Sequence, residues 1–244
     1  MITFAIVHFN TPELTMCLCG SIIKNHPDAK IVIFDNSDKK PFPKDDIEVV
    51  YIDNTKGQII DFEKELEKYP DRNIDIQIKA GVNFGSAKHS MSIDWLCKNL
   101  TENFILMDSD ILLKKPIDFI DENFICISDT IQIKPELLRI SPMLAYMNVN
   151  KIKKHNIDFF DGKRMHGLCK LTEKYLYYDT GTSFLEDIEN LKLFKKINTE
   201  NYFVHYGNGS WRLDNKVKCS AEKNKPYENI TYYEWLSKYK DLWV

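Results

Sequence analysis

The residues best suited to chemistry end a hydrophobic run. Phe104-Ile105-Leu106-Met107-Asp108-Ser109-Asp110 closes on two carboxylates separated by one residue. Two carboxylates so close repel one another unless a cation or a set of donors compensates. A hard divalent ion, Mg²⁺ or Mn²⁺, is the natural partner, because it suits oxygen ligands and also a diphosphate. The plainer alternative is a solvated turn.

Three further segments carry weaker signals of the same kind. Ile6-Val7-His8-Phe9-Asn10-Thr11-Pro12-Glu13 reads as a strand that turns polar where a helix starts, and ligands of open α/β sheets bind beyond such strand ends. Ile31-Val32-Ile33-Phe34-Asp35-Asn36-Ser37 ends in a carboxylate that either accepts from a base or ribose, or closes an Asx turn. Ala80-Gly81-Val82-Asn83-Phe84-Gly85-Ser86-Ala87-Lys88-His89 places two glycines before a helix, where the backbone can approach an anion closely.

The elements that must position these residues follow from hydrophobic period. Strands are expected at Thr3–Val7, Lys30–Asp35, Glu48–Ile52 and Asn103–Met107. Helices are expected from the Thr11-Pro12 start to about Asn25, at Asp61–Tyr69 and at about Ser86 to Asn99. This alternation describes an open α/β sheet covered on its faces. Beyond Asp110 the pattern becomes mixed, with strands at Phe124–Ile133, Met143–Val149 and Tyr202–Tyr206 and helices at Lys151–His155 and Thr182–Leu191. No linker or repeat separates the halves, so one compact domain is expected, with residues 1–118 binding a donor and residues 119–244 binding an acceptor and closing over it.

In order and spacing, the four segments resemble the N-terminal half of the GT-A glycosyltransferases, most closely the family 2-like enzymes, over about residues 2–118. The resemblance implies a Rossmann-like open mixed sheet flanked by helices, with an α+β C-terminal acceptor portion. It implies a nucleoside cradled by Phe9, Asn10 and Asp35, an N-x-G loop at Asn83-Phe84-Gly85 with Lys88 behind it, and a D-x-D motif at Asp108-Ser109-Asp110. Asp110 is then the direct ligand of Mn²⁺ or Mg²⁺, and Asp108 faces the ribose or sugar. The ion stabilises the leaving diphosphate as a Lewis acid.

The same resemblance guides the second half. A carboxylate there is expected to deprotonate the acceptor hydroxyl: first Asp179, before Gly181, and second Asp187 in the Glu186-Asp187 pair. Asp179 could equally serve as an N-cap. His205, at the end of an apolar strand, stands where related enzymes place a third metal ligand, or is a buried structural histidine. Arg212 either closes over the diphosphate or lies on a solvated basic loop. His26, His155 and His166 read as ordinary structural or surface residues, and His8 as a cap of the first strand.

Composition narrows the rest. The 244 residues carry 33 basic and 36 acidic side chains, so a nucleic acid is not the expected partner and phosphate affinity must be local. The six cysteines lack paired spacing and fit reduced thiols. The first residues read as a strand, so the expected location is the cytoplasm, at the inner membrane face if the acceptor is lipid-linked. The aromatic segment Tyr232–Trp243 has helical amphipathicity; it packs on the domain, or meets a membrane or a second copy. The expected activity is transfer of a sugar, most readily from a UDP-linked donor, to a glycan hydroxyl in bacterial surface polysaccharide synthesis, with inversion, or with retention as in the GT-A enzymes that the His205 segment also resembles. A degenerate domain that binds without turnover is the alternative. A haloacid dehalogenase-like phosphatase fits less well, since Ile111-Leu112 follow the motif and a hundred residues precede it.

Overall fold

The computed structural model describes residues 1–67, 84–134, 137–161, 166–168, 175–177, 179–206 and 232–244. Its strands are β1 (Thr3–His8), β2 (Lys30–Asp35), β3 (Val50–Asp53), β4 (Phe104–Asp108), β5 (Ile111–Leu113), β6 (Cys126–Lys134), β7 (Leu137–Met147), β8 (His166–Leu168), β9 (Tyr175–Tyr177), β10 (Phe194–Lys196) and β11 (Phe203–His205). The helices are α1 (Pro12–Asn25), α2 (Phe62–Glu67), α3 (Phe84–Asn99), α4 (Val149–His155), α5 (Thr182–Asn190) and α6 (Tyr232–Lys238). A seven-stranded mixed sheet has the order β10-β6-β7-β4-β1-β2-β3, and β11-β5 and β8-β9 form two-stranded pieces. The open mixed α/β sheet expected from the sequence is the fold observed.

By internal contacts the chain divides into two units: residues 1–56, 107–118 and 199–244, and residues 57–106 and 119–198. In the first unit, β1, β2 and β3 pair in parallel, with His8 beside Asp35 and Asp35 beside Asp53. Every residue of β1 is buried, as a parallel strand covered on both faces requires, whereas β3 is exposed or half-buried throughout, as befits the end of the strand order. Helix α1 starts at Pro12, whose missing N–H is no loss there, and buries Leu14, Leu18 and Ile22 at four-residue spacing. Ser21 Oγ donates to Leu18 O and accepts the Leu113 amide at 3.0 Å, which fastens β5 to this helix.

The C-terminal aromatics complete this unit. Trp235 and Leu236 of α6 are buried with Leu14, Cys17, Leu112 and Tyr206, and Tyr239, Leu242 and Trp243 pack against them. Gly20 of α1 leaves room for the chain here, since a Cβ would stand 2.6 Å from Trp243 O. Lys24 Nζ donates to the carbonyls of Asp241 and Val244 at 2.6 and 2.9 Å. Of the readings open for Tyr232–Trp243, packing accounts for Trp235, Tyr239 and Trp243; Tyr233 is exposed. No helix among the described residues is long and apolar enough to cross a membrane.

In the second unit, β6 and β7 pair antiparallel and β10 joins β6 in parallel. Strand β7 begins at Leu137, six residues before the expected Met143. The register jumps from Ser128–Ala145 to Thr130–Ile140, so Pro142 falls in an interruption where its missing N–H costs nothing. Ser128 Oγ donates to Ser141 O and Leu144 O across that interruption. Helix α3 begins at Phe84, so Gly85 lies in its first turn and not in a preceding loop. Strands β5 and β10, three residues each, are too short to show a period and were not expected.

Helix α5 is entered through Gly181, the N-cap, at φ +79°. A Cβ at Gly181 would stand 2.5 Å from Ile140 Cγ1, so the position needs glycine for its dihedral and for its contact with β7. Asp179 is therefore not the N-cap; its carbonyl accepts from Thr182 N and Oγ1 at 3.1 and 2.9 Å. Cys17, Cys19, Cys97 and Cys126 are buried and unbridged, and burial raises their thiol pKa, that of Cys17 to about 11.

Candidate functional site

The first unit gathers the ends of β1, β2 and β4 around one loop. Asn10 follows β1 in the left-handed region, φ +56°, which asparagine tolerates better than most residues. Its amide donates to Ser37 Oγ at 2.9 Å, its Nδ2 to Asp38 Oδ1 at 2.5 Å, and its Oδ1 accepts the amides of Lys39 and Lys40. Asp35, fully buried at the end of β2, accepts the Ser37 amide on Oδ1, and the Phe42 amide and Tyr51 hydroxyl on Oδ2. Burial and this bond to Asp35 raise the Tyr51 phenol pKa. Residues 37–42 are thus fixed from two sides. Asp35 is the anchor of that loop, and Phe9, half-buried, lies between His8 and Asn10.

His8 backs the same loop. Its Nδ1 lies 2.8 Å from Thr15 Oγ1, its Nε2 3.3 Å from Lys40 O, and its ring meets Phe42 edge-on at 5.8 Å. Only an Nε2–H can serve the Lys40 carbonyl, so Thr15 donates to an unprotonated Nδ1. Burial lowers the His8 pKa and keeps it neutral. Its role is to hold strand to loop, as the strand-cap reading expected.

The D-x-D segment meets this arrangement through its middle residue. Ser109 Oγ is 3.3 Å from Thr11 Oγ1, both buried. Thr11 precedes Pro12 as a capping threonine should, yet makes no side-chain bond to the helix. Its hydroxyl is spent on Ser109, and that link was not visible in the sequence.

Asp110 Oδ1 stands 3.3 Å from His205 Nε2, and Asp110 O accepts the Tyr206 amide at 2.9 Å. The antiparallel pairing of β5 with β11 sets His205 opposite Ile111 and so delivers the imidazole to the carboxylate. Asp110 is buried, while Asp108 and His205 are half-buried. Among the described residues no group of three His, Cys, Asp or Glu side chains forms a metal cage. The full set of Asp108, Asp110 and His205 is therefore not gathered as a cage, and Asp110 with His205 is the pair that meets. That pair fits Mg²⁺ or Mn²⁺ nonetheless. Such ions take one or two carboxylates and complete their shell with substrate phosphates and water, and ligands at about 2.1 Å from one ion and at right angles lie about 3 Å apart. An imidazole nitrogen beside a carboxylate oxygen favours Mn²⁺ of the two.

The second unit holds Asp179, Asp187 and Lys88. The Asp179 carboxylate accepts the Thr180 amide on Oδ1 at 2.7 Å and faces Arg139 Nε with Oδ2 at 3.3 Å. Asp187 is half-buried on α5. Lys88 Nζ lies 5.4 Å from the centre of the Phe62 ring, so its stem and charge are placed over an aromatic face. Asn83 and Arg212 lie outside the described residues. His26, read as ordinary, accepts the Ile117 amide on Nε2 at 2.9 Å and so ties the end of α1 to the segment after β5.

No protein-family model matches the chain and no curated protein matches it. Among solved structures it is similar to the glycosyltransferase GlyE of Streptococcus pneumoniae TIGR4, at 9% identity and TM-score 0.49, over 82% of this chain and 46% of that one. It is similar to the galactosyltransferase LgtC in complex with donor and acceptor sugar analogues, at 10% identity and TM-score 0.47, over 99% of this chain and 95% of that one. It is also similar to the bifunctional glycosyltransferase WbbM, at 10% identity and TM-score 0.47, over 82% of this chain and 39% of that one. The chain thus spans about half the length of GlyE or less of WbbM, and nearly all of LgtC.

Proposed function

We propose that the chain is a metal-dependent glycosyltransferase of the GT-A type, which moves a sugar from a nucleotide-sugar donor, UDP-linked, to a hydroxyl of a glycan acceptor. The observation that carries this reading is the Asp110–His205 pair at 3.3 Å, joined through Ser109 and Thr11 to the turn where β1 ends. A carboxylate and an imidazole at strand ends, beside a loop held rigid by buried polar groups, suit a diphosphate bound through a divalent cation. That cation, when bound, supplies Lewis-acid stabilisation of the leaving diphosphate.

In this reading Asp110 and His205 hold the ion and Asp108 faces the ribose or sugar. Phe9 and Asn10, with the loop that Asn10 and Asp35 fasten, receive the nucleoside. Arg212, Asn83 and Gly85 are assigned to the diphosphate by the resemblance alone. Inversion calls for a base to take the acceptor proton. Asp187 is preferred over Asp179, because the Asp179 carboxylate is already engaged by Arg139 and Thr180. The acceptor is a surface glycan, free or lipid-linked, reached from the cytoplasmic face of the membrane.

The test is release of UDP from a panel of UDP-sugars with Mn²⁺, with and without glycan acceptors. Turnover is expected, and Asp110→Ala should lower it by about 100-fold or more, as loss of an electrostatic stabiliser of a leaving group does. Undiminished turnover in Asp110→Ala would remove the metal role. Tight UDP–Mn²⁺ binding without release from any sugar nucleotide would favour a binding module.

A further inference from the structure

We propose that Trp235 is a positioning residue for the Asp110–His205 pair, an inference that rests on the metal reading above. His205 belongs to a strand of only three residues, β11, whose sole described strand partner is β5. A ribbon so short cannot hold its own geometry, since isolated two-stranded pieces are marginal in water. Something must press on its reverse face.

Side chains alternate along a strand, so Val204 faces away from His205, and Tyr206, the first residue past β11, is buried in the cluster on which Val204 packs. Leu112, the register partner of Val204, points the same way. All three belong to the cluster closed by Trp235 and Leu236. The Tyr206 ring lies 5.4 Å from Trp235, and Trp235 lies 5.2 Å from Tyr239, both pairs tilted. Tyr206 is also the residue whose amide bonds to Asp110 O. The indole of Trp235 therefore backs the residue that follows His205 and that fastens the chain to Asp110. Beyond α6, the segment that follows it is anchored to α1 by the Trp243 contact at Gly20 and by the main-chain oxygens of Asp241 and Val244 held by Lys24. A helix remote in sequence from the D-x-D motif thus sets the angle at which the imidazole meets the carboxylate.

The experiment compares wild type, Trp235→Phe, Trp235→Ala and Ile33→Ala, the last removing a buried side chain of β2 in the same unit. Two readouts are taken on the full chain without substrate: Mn²⁺ affinity by electron paramagnetic resonance, and amide exchange of Tyr206 in the metal-free protein by NMR. Trp235→Ala is expected to weaken Mn²⁺ binding at least tenfold and speed Tyr206 exchange, and Trp235→Phe to weaken binding two- to fivefold. Ile33→Ala, with an equal or larger drop in melting temperature, should keep wild-type Mn²⁺ affinity. If Trp235→Ala does not fold, Trp235→Phe decides: wild-type affinity and exchange there overturn the proposal. Equal loss in Ile33→Ala also overturns it, because the effect is then general destabilisation. A wild-type chain that binds no Mn²⁺ overturns the metal reading and this inference together. Mn²⁺ binding lost in Asp110→Ala but retained in Trp235→Ala overturns the inference alone.

Discussion

His205 Nε2 stands 3.3 Å from Asp110 Oδ1 although the two lie 95 positions apart, and the β5–β11 ladder delivers one to the other. On the proposed metal reading, a contact built on so short a ladder makes the imidazole the second, weaker holder of the ion. His205→Ala should therefore raise the Mn²⁺ concentration needed for half-maximal transfer by about tenfold, with a smaller effect on the rate at saturating metal. Titrating Mn²⁺ in a UDP-release assay reads both values, and an unchanged half-saturation would exclude His205 from the metal's surroundings.

Asp35 and Tyr51 give a stability prediction separable from metal binding. Asp35→Ala leaves the Ser37 and Phe42 amides and the Tyr51 hydroxyl without their acceptor in a buried place. Each orphaned donor costs about 1 to 3 kcal/mol, so a loss of several kcal/mol is expected, against about 1 kcal/mol for Tyr51→Phe. Urea unfolding of both variants checks the ranking. Parity between them would mean that Asp35 does not anchor the loop.

Gly181 is the position where backbone strain and steric overlap coincide. Its φ is +79°, and the methyl of an alanine there would stand 2.5 Å from Ile140 Cγ1. Gly181→Ala should therefore cost about 2 to 4 kcal/mol. Pairing it with Ile140→Ala, which removes both Cγ1 and Cδ1, should recover only the steric part when measured against Ile140→Ala alone. Thermal melts of the single and double variants separate the two contributions.

Two histidines make folding sensitive to acid. Burial lowers the pKa of His8 and His26 below the ordinary 6.5, and both use an unprotonated ring nitrogen as acceptor. Between 6.5 and the lower folded value, the unfolded chain holds protons that the folded protein does not, so stability falls as pH drops through that window. For His8 the slope reaches at most about 1.4 kcal/mol per pH unit. His8→Asn should flatten the curve of unfolding free energy against pH below 6.5, even if the variant is less stable at about pH 8. A slope unchanged by the substitution would assign the acid sensitivity elsewhere.

Asp187→Asn and Asp179→Asn divide the roles of the two carboxylates. Asp187→Asn is expected to lower the transfer rate by about 100-fold with little change in melting temperature, as removal of a general base does. Asp179→Asn, which weakens the contact with Arg139, should lower the melting temperature first. The reverse pattern would return the base role to Asp179.

Much of the scaffold was legible because its signals are local. The unbroken apolar runs of β1 and β2 and the Pro12 start of α1 specify themselves within a few residues. The D-x-D motif was equally visible, since hydrophobic residues run up to Asp108. What stayed hidden was set by distant partners. Asp35 read as either a ligand-facing carboxylate or the close of an Asx turn; the Ser37 amide fits the turn, while nothing nearby reveals that Phe42 and Tyr51 will also claim it. Thr11 is the N-cap residue, as its place before Pro12 indicates, but the partner of its side chain, Ser109, lies 98 positions away and left no local mark. His26 read as ordinary because a backbone amide, at Ile117, leaves no mark in a sequence.

The first unit is assembled from three separated stretches, residues 1–56, 107–118 and 199–244. During synthesis from the N-terminus, β1, α1, β2 and β3 can pair as they emerge, and the D-x-D segment follows. His205 and the Trp235 that backs it are made last, after every other described residue of the proposed site. Closing intervening loops of this length adds little to the free-energy cost but delays the event. A chain still being made thus carries Asp108 and Asp110 long before His205 can join them, so on the proposed metal reading Mn²⁺ binding would mark finished folding.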